Sequence, residues 1–115
     1  MTKQTRSISW LKAAKKEFED FPVDAQEISL AALTIAAEGN KADIAKPMTG
    51  MGSGVFEIAL RFQSNAFRVI YAVQIDDDLW VLHAFQKKST IGIKTPQQDI
   101  DLIKERLKRL KECLP

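Results

Sequence analysis

The chain has 115 residues and a net charge of +2, with 17 basic and 15 acidic side chains. That length builds one hydrophobic core and not two, so residues 1–115 read as a single domain. A single cysteine, Cys113, excludes an internal disulfide and a multi-cysteine zinc cage. No apolar run approaches a membrane span, and MTKQTRSISW lacks the apolar segment of a secretory signal. A cytoplasmic protein with no membrane partner is therefore expected.

The charge is unevenly spread. Residues 1–85 hold 9 basic and 11 acidic side chains, whereas residues 86–115 hold 8 and 4. A basic C-terminal third on a near-neutral body points to an anionic partner, of which nucleic acid is the commonest. A solvated helix face rich in lysine is the alternative.

In chain order, Ser7 or Ser9 is placed to cap a helix whose Trp10, Ala14, Phe18 and Phe21 fall on one stripe. An edge strand over RSISW (residues 6–10) is the competing reading. Pro22 stops the helix, because proline cannot continue the hydrogen-bond ladder. Asp24 is placed to cap a second helix whose Ile28, Ala31, Ala32, Ile35 and Ala36 make a small-residue face, stopped at Gly39-Asn40. Residues 41–54 read as irregular; TGMGSG lacks both the spacing and the terminal Lys-Ser/Thr of a phosphate-binding loop.

Two strands follow. In VFEIALRF, Phe56, Ile58, Leu60 and Phe62 alternate with Val55, Glu57, Ala59 and Arg61; in AFRVIYAVQI, Phe67, Val69, Tyr71, Val73 and Ile75 alternate with Arg68, Ile70 and Ala72. A four-residue loop over residues 63–66 pairs Phe62 with Phe67 and sets Arg61 opposite Arg68. Like charges directly opposed on a sheet are unfavourable, which an anion bound between them, or Glu57 beside them, offsets. The third strand, LWVLHAFQ, is apolar on both faces. A two-residue Asp77-Asp78 turn puts His83, Phe85 and Lys87 on the arginine face, and a three-residue turn inverts all of them; the two-residue turn is adopted. Thr95-Pro96 opens a last helix, with Ile100, Ile103, Leu107, Leu110 and Leu114 as its apolar stripe and lysines and arginines elsewhere.

These strands resemble the C-terminal sheet of the RelE/ParE-type bacterial toxins, most closely the HigB-like, phage-derived-protein branch. The shared pattern is E-I-x-x-R, then F/Y-R-V-x-Y, then L-H-x-F-x-K-K. The segments ISWL, KPM and KTPQQDIDLIKERL fit as well, so the likeness spans nearly the whole chain. The fold expected is α+β: an N-terminal helical pair packed on a small antiparallel sheet, closed by a basic C-terminal helix. The resemblance implies the toxin of a type II toxin–antitoxin pair, cleaving messenger RNA on the ribosome without metal or other cofactor. It also implies a small helix-turn-helix antitoxin as partner, through which alone DNA would be contacted. The chain lacks the second, C-terminal tyrosine of the best-known RelE pattern, which leaves the acid and base open. A ParE-like inhibitor of DNA gyrase, or a non-enzymatic accessory protein of the same fold, are the alternatives.

Metal-free RNA cleavage needs a proton taken from the ribose 2′-OH, one given to the leaving oxygen, and stabilisation of charge on phosphate. Arg61 and Arg68 suit a bidentate phosphate clamp. His83, the one histidine, is the proton-transfer candidate near neutral pH. Lys87, Lys88 and Lys94 are candidates for holding the RNA backbone. Each also has a plain structural role open to it: a buried histidine, an arginine paired with Glu57, lysines protecting a strand end. Asp76-Asp77-Asp78 lacks the spacing of a calcium loop, and no metal site is expected.

Overall fold

The computed structural model describes residues 5–75, 77–87 and 95–113, apart from the side chain of Gln74. The elements run β1 (Ile8–Trp10), α1 (Lys12–Glu19), α2 (Val23–Ala37), β2 (Ala45–Pro47), β3 (Val55–Phe62), β4 (Asn65–Ile75), β5 (Asp78–Lys87) and α3 (Gln97–Cys113). The strands form one sheet in the order β1-β5-β4-β3-β2. Strands β2 to β5 make the antiparallel sheet expected, and β1 joins its edge by pairing parallel with β5, Ile8 against Leu79 and Trp10 against Val81.

The alternation in β3 and β4 sorts two cores onto the two faces. On one face, Ile58, Leu60, Phe67, Val69 and Tyr71 pack under α1 and α2 together with Ala14, Phe18 and Leu33. An aromatic chain crosses this core, with Trp10, Phe18, Phe21 and Phe67 in successive contact at ring-centroid distances of 4.9, 5.5 and 4.8 Å. On the other face, Val55, Ile70, Ala72 and Leu82 pack under α3 through Ile103, Leu107 and Leu110. Because β5 is covered on both sides, its sequence shows no alternation. Leu114 lies outside the described residues.

Several local expectations give way. The segment Ile8–Trp10 is the strand and not the first turn of a helix; Ser9 donates to Asp78 Oδ2 at 2.8 Å, and Leu11 precedes α1 without a side-chain cap. Pro22 opens α2 in the N-cap position and Asp24 sits in its first turn, consistent with proline's fixed φ at a helix start. The buried stripe of α2 is Ala25, Ser29, Ala32, Leu33, Ala36 and Ala37, while Ile28, Ala31 and Ile35 face outward. That helix is apolar nearly all round, so periodicity could not select the face. The irregular stretch contains β2, which pairs Lys46 with Glu57.

The β3–β4 connection is a two-residue turn: Phe62 pairs with Asn65, and both Gln63 and Ser64 have positive φ, at 51° and 68°. Both central residues are thus left-handed, as in the turns whose twist matches a hairpin, although Gln-Ser is not the Asn-Gly pair that announces one. Arg61 consequently pairs with Ala66, and Arg68 pairs with Ala59. The arginines share a face but are not directly opposed. Ile75 pairs with Asp78, one residue earlier than the expected Asp77-Asp78 turn allows; Asp76 lies outside the described residues. Two register shifts along this pairing, one between Ala72 and Ile75 and one at Leu82 between the pairs Ile70–His83 and Tyr71–Val81, cancel, so His83, Phe85 and Lys87 lie on the arginine face.

Candidate nucleic-acid interface

The upper half of the α3 face of the sheet carries a cluster of cations. Arg61 and Lys87 lie on strands flanking β4, both paired with Ala66. With neighbouring strands about 4.8 Å apart, their backbones are separated by about 10 Å. Arg68 rises from β4 between them, with Ala59 as its β3 neighbour and Phe85 as its β5 neighbour. The alanines create a checkerboard in which no cation faces another in a direct cross-strand pair, which lowers the repulsion that such pairs suffer.

Glu57 is the carboxylate at the centre of this group. It is buried, lies 4.0 Å from the ammonium of Lys46, and accepts a hydrogen bond from the Thr95 hydroxyl at the approach to α3. Arg61 is exposed, whereas Arg68 and Lys87 are buried. Burial pushes the Lys87 ammonium below its ordinary range and the positive charge of Arg68 pushes it further. Glu57 opposes the shift, and Lys46 and Arg61 add to it. Lys46, Arg61 and Arg68 are thus the cations, and Glu57 the carboxylate, whose charges act on Lys87, a local field suited to a polyanion.

His83 shares the face but has a different environment. It is 3% exposed. Its Nε2 lies 2.8 Å from Asp99 Oδ1 and its Nδ1 3.1 Å from Glu17 Oε1, while the Arg106 guanidinium lies 2.9 Å from both Nδ1 and Glu17 Oε1. A carboxylate accepts only and a guanidinium donates only. Nε2 therefore donates to Asp99. Nδ1 accepts from Arg106 in the neutral ring and donates to Glu17 in the charged ring. Both ring nitrogens are engaged, and Phe85 stacks on the ring at 5.1 Å.

The same network finishes the edge of β5 next to β1. Beyond Trp10 the short β1 no longer pairs with it. There the Ala84 N–H donates to Glu17 Oε1 at 3.3 Å, and Arg106 donates to the Leu82 carbonyl at 3.0 Å. Partial burial raises the Glu17 carboxyl pKa, but hydrogen bonds and electrostatic attraction from His83 and Arg106 outweigh it and hold the value at about 2.

Of the sequence-derived site residues, the structure brings Arg61, Arg68 and Lys87 together and sets His83 into a separate polar network. Lys88 and Lys94 lie outside the described residues. Tyr71 is in the core, stacked on Phe56 at 5.4 Å, where burial pushes its hydroxyl up to about 12. Sequence reasoning missed Glu17, Asp99 and Arg106, which come from 66, 16 and 23 residues away from His83 in the chain and carry no joint motif. It also missed Lys46, because the three-residue β2 is too short to show a period.

Two helices on one face of a five-stranded sheet, a third across the other and a cationic strand cluster beside it define a RelE-type toxin fold. A solved double-arginine mutant of the E. coli toxin RelE in its free state superposes with a TM-score of 0.64, covering 91% of this chain and 97% of that one at 17% identity. At that identity the likeness establishes the fold alone. The chain belongs to the Gp49-like family of phage-derived proteins, which it matches over residues 16–108. Family and fold together place it in the RelE/ParE superfamily, as the sequence patterns implied. No curated protein matches. Among the described residues, no helix is long and apolar enough to cross a membrane.

Proposed function

We propose that this protein is the toxin of a type II toxin–antitoxin pair and cleaves messenger RNA on the ribosome, neutralised by a small helix-turn-helix antitoxin. The observation that carries this reading is the group of four cations, Lys46, Arg61, Arg68 and Lys87, around the carboxylate of Glu57. Holding like charges on one sheet face costs stability, and a phosphate bound among them offsets that cost. Arg61 and Arg68 contact the scissile phosphate and stabilise the charge that develops on it. Lys87, on the same sheet face and with its ammonium held below its ordinary range, exchanges a proton with the reacting ribose or leaving oxygen. Lys88 and Lys94 hold the backbone of the same strand. His83 acts in this reading as a positioning residue, fixing β5 against α1 and α3.

The test is primer-extension mapping of transcripts after induction of the protein in cells. Cuts phased with the reading frame are expected, and co-expression of the neighbouring reading frame relieves the growth arrest. Intact transcripts accompanied by gyrase-linked DNA breaks would replace this reading with the ParE-like one.

A further inference from the structure

Among the described residues, the large apolar side chains most open to solvent are Val23, Ile28, Leu30, Ile35 and Ile44, all on α2 or in the connection that follows it. Helical spacing divides the first four between two flanks of α2. Gln26 marks one flank, its amide donating to the Phe21 carbonyl just past α1 at 2.9 Å, and Val23 and Leu30 stand next to it at i−3 and i+4. The other flank carries Asp24, Ile28, Ala31 and Ile35 at the i, i+4, i+7, i+11 spacing of a single stripe. Because α1 packs on β5 and α2 on β3 and β4, this second flank faces the β2 edge of the sheet. Lys41 lies on the same side, its ammonium donating to the carbonyl of Ala45, the first residue of β2, at 2.9 Å. Among the described residues, no cation pairs with Asp24 and no carboxylate pairs with Lys41.

We infer that α2 pairs antiparallel with α2 of a second copy of this chain, about a two-fold axis beside Ala31. The stripe is self-complementary, as a two-fold contact requires. Ile28 precedes Ala31 and Ile35 follows it at nearly equal distance, so Ile28 of each copy meets Ile35 of the other. The short side chain of Ala31 lets the two axes approach to about 8 Å. The same axis carries Asp24 of each copy to the C-terminal end of the opposing helix, where Lys41 supplies the opposite charge, and it does so twice. A partner of a single charge sign, nucleic acid included, satisfies one end of the stripe and is repelled by the other. From Asp24 to Ile35 the stripe is about 16 Å long, and one helix pair of that length covers less than the about 1,200 Å² of a stable interface. The dimer is therefore weak and concentration-dependent. Since α2 lies across the sheet from the face that carries Arg61, Arg68 and Lys87, pairing leaves both cation clusters open. The inference goes beyond the RNA reading and does not depend on it.

The experiment is sedimentation velocity of the full chain across about 10 µM to about 1 mM, where a reversible monomer–dimer equilibrium with a Kd on the order of 100 µM is expected. Ile28→Ser combined with Ile35→Ser weakens association about tenfold or more. Leu30→Ser, at similar exposure but on the Gln26 flank, leaves it unchanged. Asp24→Lys weakens it about fivefold, and adding Lys41→Glu to that variant restores the original Kd to within about threefold. Thermal melting establishes that each variant is folded, and the serine variants, all at exposed positions, decide the matter alone where a charge-reversed chain does not fold. A protein that stays monomeric at about 1 mM overturns the inference and leaves the stripe to a different chain. A dimer indifferent to the serine pair, one weakened equally by Leu30→Ser, or a folded charge swap that does not recover association each overturns it as well. The variants Arg61→Ala and Arg68→Ala keep the dimer intact, so failure of the self-association and failure of the RNA site are read separately.

Discussion

Replacing Glu17 with glutamine tests the polar network at its most exposed member. Its carboxyl is held at about 2 against an ordinary value of 4.5. At 1.36 kcal/mol per pKa unit that difference sets an upper limit of about 3 kcal/mol on the stabilisation the charged form gains by folding. The side chain is 29% exposed, and water screens part of the field, so about 2 kcal/mol is the expected loss in Glu17→Gln at pH 7. Because the folded-state value is the depressed one, this contribution is fully present above the unfolded value. It is lost as pH falls from about 4.5 through about 2. Urea unfolding of both proteins between pH 7 and pH 2 measures the gap directly. It should be constant above about pH 5 and shrink steadily below, as the wild-type carboxylate is protonated. Near neutrality the difference corresponds to a fall in Tm on the order of 10 °C. A gap under about 0.5 kcal/mol at pH 7, or one that persists unchanged at pH 2, would refute the account of Glu17 as the charged centre of the network.

Arg61→Ala should change stability by no more than about 0.5 kcal/mol, since Arg61 is exposed, while lowering cleavage about a hundred- to thousandfold in a single-turnover assay. Arg68→Ala should lose comparable activity and also about 1–3 kcal/mol in denaturant titrations, because Arg68, unlike Arg61, is buried on the sheet face. Binding of a non-cleavable 2′-deoxy strand should weaken as pH rises through the lowered Lys87 value, earlier than an ordinary lysine allows; Lys87→Arg should remove that inflection. Each alanine substitution that removes a phosphate-binding cation should reduce the slope of log affinity against log salt by about 0.7. His83→Gln should cost about 1–3 kcal/mol of stability and leave cleavage per folded molecule nearly unchanged, because both ring nitrogens serve the network.

The faces of β3 and β4 were legible because alternation depends only on parity. The expected hairpin pairs Phe62 with Phe67, the structure pairs it with Asn65, and a two-position slip leaves every side chain on its face. What the slip changed is local: Arg61 and Arg68 became diagonal neighbours instead of a directly opposed pair. The turn itself was hidden because Gln63 and Ser64 adopt left-handed backbone without glycine or asparagine to announce it. The bulge at Leu82 left no mark in a strand that is apolar on both sides. Burial on both faces also hid the orientation of β5, and its near-uniform apolar surface hid that of α2. The cationic cluster was partly readable, because Arg61 and Arg68 follow from alternation alone. The environment of His83 was not, since it depends on where α1 and α3 cross β5.

The finish of β5 past Trp10 also bears on how the protein behaves at high concentration. A strand edge with open N–H and C=O groups is a template for another strand, from a second molecule or from a misfolded chain. Here the Ala84 N–H and the Leu82 carbonyl are occupied by Glu17 and Arg106, side chains from helices on either side, which no incoming strand displaces without also breaking an ion pair. The protection is ionic, so it weakens in acid and in strong salt. Under those conditions, sheet-to-sheet association through β5 becomes the expected route to fibrils and swapped dimers, at protein concentrations where the intact edge keeps neighbouring molecules apart.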